Sequence, residues 1–333
     1  MKYLKWILVF IVLLAIIYFA GPRPSSPVIN SAPLSLNESS SELENKITRS
    51  EKTVPFLKSD NNARIVWADS NNKIKTRYCI VYIHGFSASY AEGKPVHQNI
   101  ARRFGCNLFL PRLYAHGLQE KEPLLELTTE KLLESARYAI AVGKQLGDSV
   151  ILMSTSTGGT LSLILTAQDP LVAGLIMYSP NIDLYDQRSF LLIEPWGLQI
   201  VRAVVASNYY TFKASDAAQQ YWNTKYRIEA LIQLKGMIHE TMKKETFENI
   251  KKPVFLGYYY KDEHHQDDVV SVPAMLNMFD ALGTSSQFKH KVNFPDAGIH
   301  CIASSYWTSN TKPVEDSTAV FLEKVMHISP IHK

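Results

Sequence analysis

The stretch SVILMSTSTGGTLSL, residues 149–163, decides how this chain is read. A β-branched apolar run leads into four hydroxyl residues, Ser154 to Thr157, then Gly158 and Gly159, then a second apolar run. The first run predicts a buried strand and the second a helix, joined by a sharp turn. Two readings of the turn are open. In one, a hydroxyl merely caps the helix, a task Ser154 or Thr155 would serve. In the other, Ser156 is a nucleophile lifted onto the turn. Tight strand-to-helix turns crowd the residues two before and two after the lifted one, so both must be small. Gly158 meets that demand fully, Gly159 lets the helix pack close, and Ser154 is small enough to be tolerated. Unpaired amides at the helix start would favour an oxyanion there.

Outward from this stretch, short apolar runs alternate with helical ones. RIVWA, YCIVYIHG, CNLFLP, SVILM, AGLIMYS, KPVFLGYYY and FKHKVNF read as strands. PVHQNIARRFG, TTEKLLESARYAIAVGKQLG, GGTLSLILTAQ, VPAMLNMFDALG and VEDSTAVFLEKVM read as helices, the second with Thr at its N-cap and Gly147 after its end. Strands apolar on both faces predict an α/β fold: a mostly parallel central sheet covered by helices on both sides. Residues 182–250 break the alternation. They hold no convincing strand and many aromatics, among them Tyr185, Phe190, Trp196, Tyr210, Trp222 and Tyr226. They read as a helical insertion over one end of the sheet.

The amino terminus is of another kind. Lys2 and Lys5 precede an unbroken apolar run from Trp6 to Ala20. With Tyr3 and Leu4 the segment approaches the ~18 to 20 residues a helix needs to cross a bilayer. Residues 1–20 therefore read as a transmembrane anchor with its positive flank in the cytoplasm, or as a cleaved signal segment. Tyr18 is bulky where a cleavage site wants a small residue, and no cysteine follows to carry a lipid. The domain would lie on the extracytoplasmic side, anchored, or exported if the segment is removed. Residues 21–54, rich in Pro, Ser, Asn and Glu, read as a flexible tether whose later part could lie along the domain, which spans 55–333.

Composition narrows the classes further. An apolar fraction of 46% supports a proper core, and a net charge of +4 with no long basic run outside the first residues does not favour a nucleic-acid partner. Three cysteines, Cys79, Cys106 and Cys301, make no disulfide framework and no CxxC metal motif, although one bridge stays open for an exported domain.

A serine nucleophile needs an imidazole base and an acid to orient it. In VNFPDAGIHCIAS, His300 falls just past the last strand, at the carboxyl end of the sheet where open α/β folds place their sites. In GYYYKDEHHQDDVVSVPAM, Asp267 stands two residues before Val269-Val270, which would anchor the loop while the carboxylate reaches the histidine. Asp262, directly after the strand, is the alternative acid. The same loop, with His264 and His265 among carboxylates, is also open to a metal-binding reading, and a solvated loop is the plainer one. At His84-Gly85-Phe86 a glycine lets the chain bend back, so the amides of Phe86 and Thr157 could form an oxyanion hole, with His84 structural.

The order Ser156, Asp267, His300 resembles that of the α/β-hydrolase family, most nearly its esterases and monoacylglycerol-lipase-like members. IHGFSAS is similar to their His-Gly oxyanion turn, LFLPRLYAHG to a Pro-x-Leu-x-Gly-His-Gly segment with Tyr114-Ala115 before His116-Gly117, and FPDAGIH to their histidine loop. The resemblance covers about residues 60–330. It departs from the family at Ser154, where glycine is usual, and in the length of the loop from Lys261 to Asp268. The resemblance implies that 182–250 is a cap over an apolar acyl pocket. It also implies a serine hydrolase of small-molecule carboxylic esters, needing no metal or organic cofactor, which the N-terminal segment would make membrane-tethered. An acyltransferase, a thioesterase, a silent binding module or an envelope scaffold on the same fold remain the alternatives.

Overall fold

A computed structural model of the chain describes residues 2–331. Its centre is a sheet of seven strands: β1 (Arg64–Val66), β2 (Thr76–Ile83), β3 (Asn107–Leu110), β4 (Gly147–Thr155), β5 (Val172–Tyr178), β8 (Val254–Tyr258) and β11 (Lys289–Asn293). Two small antiparallel ladders stand apart, β6 (Tyr209–Thr211) with β7 (Lys225–Arg227), and β9 (Tyr260–Asp262) with β10 (His265–Gln266). The main sheet runs β1-β3-β2-β4-β5-β8-β11. Only β1 is antiparallel to its neighbour.

The inner strands are apolar on both faces because both faces are covered, whereas the edge strand β11 carries Lys289, His290, Lys291 and Asn293. In β2, Cys79, Val81 and Ile83 enter one layer of the core, and Ile80 and Tyr82 enter the other. In β4, Val150 and Leu152 divide from Ile151 and Met153 in the same way. The first layer is closed by α2 (Ser40–Lys52), α4 (Thr129–Leu146), α5 (Thr157–Thr166), α8 (Ile228–Thr241) and α10 (Val272–Ala281). The second is closed by α3 (Val96–Phe104) and α11 (Lys312–Lys324). The α/β reading of the sequence is borne out: each of the seven runs read as strands contributes one to this sheet.

The insertion 182–250 lies between β5 and β8, with α6 (Gly197–Val205), the single turn α7 (Asp216–Gln219) and α9 (Lys244–Glu248) beside α8. It is not wholly helical, since it carries the β6–β7 ladder. Tyr209 and Tyr210 lie in β6 and Tyr226 in β7, and aromatic residues suit such a ladder. Its aromatics divide: Trp222 and Tyr226 are buried, whereas Tyr185, Phe190 and Tyr210 are exposed. The turn after α7 is held from outside the insertion. Lys58 Nζ donates to the carbonyls of Gln219 (3.0 Å) and Trp222 (2.8 Å), and Asn61 Nδ2 donates to that of Gln220 (3.0 Å).

The polar segment 21–54 is not a free tether. Ser39 and Glu42 form a capping box that starts α2, and Leu43 and Ile47, one turn apart, are buried in the first core layer. Two apolar positions among eleven polar ones are too sparse for a helical period to stand out. Glu51, near the end of α2, takes a bidentate pair from Arg112 Nε (2.9 Å) and Nη2 (3.0 Å). Ahead of α2 the chain runs along α4: Arg137 Nε donates to the Ala32 carbonyl (2.7 Å) and Gln145 Nε2 to that of Leu36 (2.8 Å).

The first helix, α1 (Lys2–Phe19), exposes nearly all of its apolar side chains. Among the described residues no helix is long and apolar enough to cross a membrane. The run from Trp6 to Ala20 rises only about 22 Å at 1.5 Å per residue, against a hydrocarbon core of about 30 Å. The transmembrane reading therefore lacks structural support. The end of α1 rests on the insertion, where Trp196 Nε1 donates to the Ile17 carbonyl (2.9 Å) and Tyr18 Oη to Glu194 (3.1 Å). All three cysteines are free and buried, so the bridge left open by the sequence does not form.

The placement of α2 is testable by urea unfolding. Leu43→Ala should lower stability by about 2 to 5 kcal/mol, the range for emptying a core leucine site. A loose tether would leave the midpoint unchanged.

Candidate functional site

Ser156 is the hinge between β4 and α5. Its backbone sits at φ 54°, ψ −123°, a region that side chains other than glycine enter at a cost of about 1 to 3 kcal/mol. Three hydrogen bonds fix it there. Its amide donates to the Tyr178 carbonyl (3.0 Å), and its carbonyl accepts from the amides of Gly159 (2.8 Å) and Asn181 (2.9 Å). The turn closes so tightly that a β-carbon on Gly158 would collide with the carbonyl oxygen of Ile83. Ser154 is tolerated because it ends the strand ladder opposite Ile83, and its hydroxyl turns inward toward the Ile176 carbonyl (3.4 Å). Thr155 Oγ1 shares a hydrogen bond with Tyr82 Oη (2.8 Å). Neither residue caps the helix, and Ser156 makes no side-chain cap bond. Capping therefore does not account for this hydroxyl.

Asp267 and His300 come together from two loops. Asp267 Oδ2 is 2.7 Å from His300 Nδ1, and Oδ1 accepts the amides of Val269 and Val270, each at 3.0 Å. Val270 anchors the loop, buried in the core beside α10, whereas the Val269 side chain is exposed. Asp262 is directed elsewhere. Its side chain is 49% exposed and pairs with His265 Nδ1 at 2.8 Å across the β9–β10 ladder. That ladder is the extra length noted in the loop after β8.

The electrostatics follow from burial and pairing. His300 is 6% exposed. Burial alone would lower its pKa, but the Asp267 charge and hydrogen bond outweigh it, with help from Glu92 and Asp268, and the ring is raised above its ordinary 6.5. Burial alone would raise Asp267, but the His300 charge and hydrogen bond and the two valine amides hold it below its ordinary 3.8. His84, by contrast, is lowered well below the usual range by burial, next to His116. It is a structural spacer: Nδ1 donates to the Gly85 carbonyl (2.9 Å), and Nε2 accepts the Leu113 amide (3.2 Å).

The turn after β2 packs directly on Ser156. A β-carbon on Gly85 would lie 2.8 Å from Ser156 Cβ. Among the described residues, neither the Phe86 nor the Thr157 amide donates to a protein acceptor. The insertion covers this turn, with the Tyr226 ring edge-on to Phe86 at 5.3 Å and the Asn223 amide bonded to the Ser87 carbonyl (2.7 Å). Ser156 itself is only 6% exposed. A cleft of about 500 Å³ bounded by Ile182, Lys235, Phe247 and Met278 includes none of these residues. One site neighbour was not singled out from the sequence. Glu92 is a buried carboxylate bonded to the Gly85 amide, and its only signal was a lone acid in the small, uncharged run from Phe86 to Gly93.

No protein-family model and no curated protein matches the sequence. Solved structures do match. A metagenome-derived lipolytic enzyme is alike at a TM-score of 0.64 and 15% identity, over 80% of this chain and 99% of its own. The chain has the α/β-hydrolase fold. The fold that the motif resemblance implied is thereby met by structure. A monoglyceride lipase from Saccharomyces cerevisiae is alike at 0.59 and 14% identity, over 79% of this chain and 91% of its own. A monoacylglycerol lipase from Paleococcus ferrophilus is alike at 0.55 and 13%, over 80% and 98%. At such identities the likeness carries the α/β-hydrolase architecture, not the chemistry performed on it.

The Asp267–His300 pair sets a pH window. Asp267, depressed in the fold, adds stability that is present above its ordinary 3.8 and lost as pH falls through the folded value. His300, raised in the fold, adds stability that is full below 6.5 and lost as pH rises through its folded value. The pair's contribution should therefore be greatest between pH 3.8 and 6.5. Thermal melts across pH should show that contribution vanish in Asp267→Asn and persist in Asp262→Asn.

Proposed function

We propose that this protein is a serine hydrolase that cleaves small-molecule carboxylic esters. The observation that carries the reading is Ser156: a hydroxyl that caps nothing on a strained strand-to-helix turn packed against a glycine turn, with one amide of each, Thr157 and Phe86, unpaired among the described residues. The buried Asp267–His300 pair supports it, and so do the lipolytic names of the structural relatives. In this reading Ser156 Oγ attacks the ester carbonyl while His300 Nε2 takes its proton. Asp267 holds the ring with Nδ1–H toward the carboxylate and offsets the charge that forms on it. The amides of Phe86 and Thr157 receive the oxyanion. His300 returns the proton to the leaving alcohol, and water then releases the acyl group from Ser156. The aromatics of the insertion suit an apolar acyl group.

Membrane association of α1 belongs to the same reading and rests on its exposed apolar surface, which water does not favour. A run of about 22 Å is short for a bilayer and is accommodated by local thinning and by flanking lysines that reach the interface. The hydrolase domain would stand on the extracytoplasmic side.

Two experiments test these points. A fluorophosphonate probe applied to the full chain in detergent should modify Ser156. Hydrolysis of p-nitrophenyl esters should fall on the order of 10³-fold or more in Ser156→Ala. Folded protein that takes up no probe and turns over no ester would identify a silent binding module instead. Deleting residues 1–20 should move the protein from the membrane fraction to the soluble one, and retention in the membrane would overturn the anchoring role of α1.

A further inference from the structure

Glu92 has no part in the chemistry set out above. It sits in the short 3₁₀ turn Tyr90–Gly93 and is 2% exposed. Burying a carboxylate is costly unless its charge is used. Among the described residues, the cation that acts on it is the protonated ring of His300.

The carboxylate is built into the site from two sides. Oε2 accepts the Gly85 amide at 2.5 Å, at the turn that carries Phe86. Oε1 accepts the thiol of Cys301, the residue after His300, at 3.8 Å. Gly85 is where carboxylate and nucleophile meet. A β-carbon there would lie 2.7 Å from Glu92 Oε1 and 2.8 Å from Ser156 Cβ. Glycine alone lets both pack against the same face of the chain.

The other titratable groups around it are neutral. Tyr82 of β2 and Cys301 are pushed well above their ordinary values by burial. His97 of α3, its ring tilted against that of Tyr82, is pushed down to about 4 by burial. His300 and Glu92 are thus the groups on this side of the ring whose charges can change together, with Asp267 and Asp268 acting from the loop beyond it.

We propose that Glu92 is a second positioning carboxylate of this site. It fixes the Gly85 amide that shapes the oxyanion turn, and it holds negative charge beside His300 while the ring carries the serine proton. Asp267 orients the ring through Nδ1, and Glu92 acts on it through space. When the Ser156 proton passes to His300 Nε2, the imidazolium is bonded to Asp267 and acts on Glu92 through space, and its appearance favours the ionised form of Glu92. Burial places the Glu92 pKa at about 7, so this linkage operates near neutrality. The inference rests on the hydrolase reading for the reaction it serves, whereas the link between Glu92 and His300 can be measured without turnover.

The test uses the full chain in detergent with ¹³C-labelled histidine, the His300 signal being assigned by its loss in His300→Gln. Glu92→Gln keeps the side-chain length and an oxygen for the Gly85 amide but removes the charge. The His300 titration midpoint should fall by about 0.5 to 1 pH unit. The high-pH plateau rate of fluorophosphonate labelling should fall about three- to tenfold, the factor that half to one unit represents. Glu92→Asp should restore most of the midpoint. An unchanged midpoint and rate in folded Glu92→Gln would overturn the proposal. If that variant does not fold, the native His300 curve decides. A second inflection near pH 7 supports the link, and a single inflection overturns it. A native chain that takes no probe at Ser156 would sink the hydrolase reading while leaving the titration to judge Glu92.

Discussion

The carbonyl oxygen of Ile83 meets the α-carbon of Gly158 with no space for a methyl group between them. That contact joins the end of β2 to the start of α5, and much of the site follows from it. It brings the turn after β2 against the turn after β4, so a glycine-lined bend and a strained serine share one small volume. The strain at Ser156 persists because the neighbouring backbone over-determines it, through Tyr178 on one side and Asn181 on the other. The parallel sheet supplies the frame: its strands end on the same side, and the loops that follow β8 and β11 deliver Asp267 and His300 to one another there.

The site is buried, and its charges are set by that burial working against the neighbouring groups. Asp267, Glu92 and His300 are all buried; Asp267 and His300 shift as their pairing requires, and Glu92 shifts as burial requires. Burial that would neutralise a lone carboxylate or imidazole is reversed at the hydrogen-bonded pair. It is left standing at Glu92, which has one amide, one thiol and a ring for company. Two buried carboxylates around one imidazole thus differ in state because they differ in partners.

Much of this was legible in the sequence, and the exceptions have physical causes. The central strands could be read because they are apolar on both faces, a signal that residue type carries by itself, whereas the edge strands β1 and β11 are only half-buried and mix polar residues with apolar ones. Gly158 marked the turn because close backbone approach demands glycine. The valines after Asp267 favoured it over Asp262; in the fold Asp267 and Val270 are buried while most of the loop around them is exposed. Helix α2 was hidden because its hold on the core depends on two side chains and a capping box, spread through a segment otherwise polar. The β6–β7 ladder was hidden because three-residue strands leave no period to detect. Glu92 was hidden because its meaning lies in Gly85 and Cys301, one of them two hundred residues away. No local pattern records such a meeting.

The path of residues 21–52 defines where the folding unit begins. Ile29 and Leu36 pack partly buried against the first core layer, and Leu43 and Ile47 lie inside it. The N-terminal strap is therefore sewn into the domain it looks detachable from. A chain cut after α2 would uncover the α4 side of the core and strand Arg112 without its carboxylate. A cut after α1 removes no residue from the core clusters. The boundary between the part that can be shed and the part that must stay falls just after Ala20. The following residues look like a linker in composition and act as the domain's own wall.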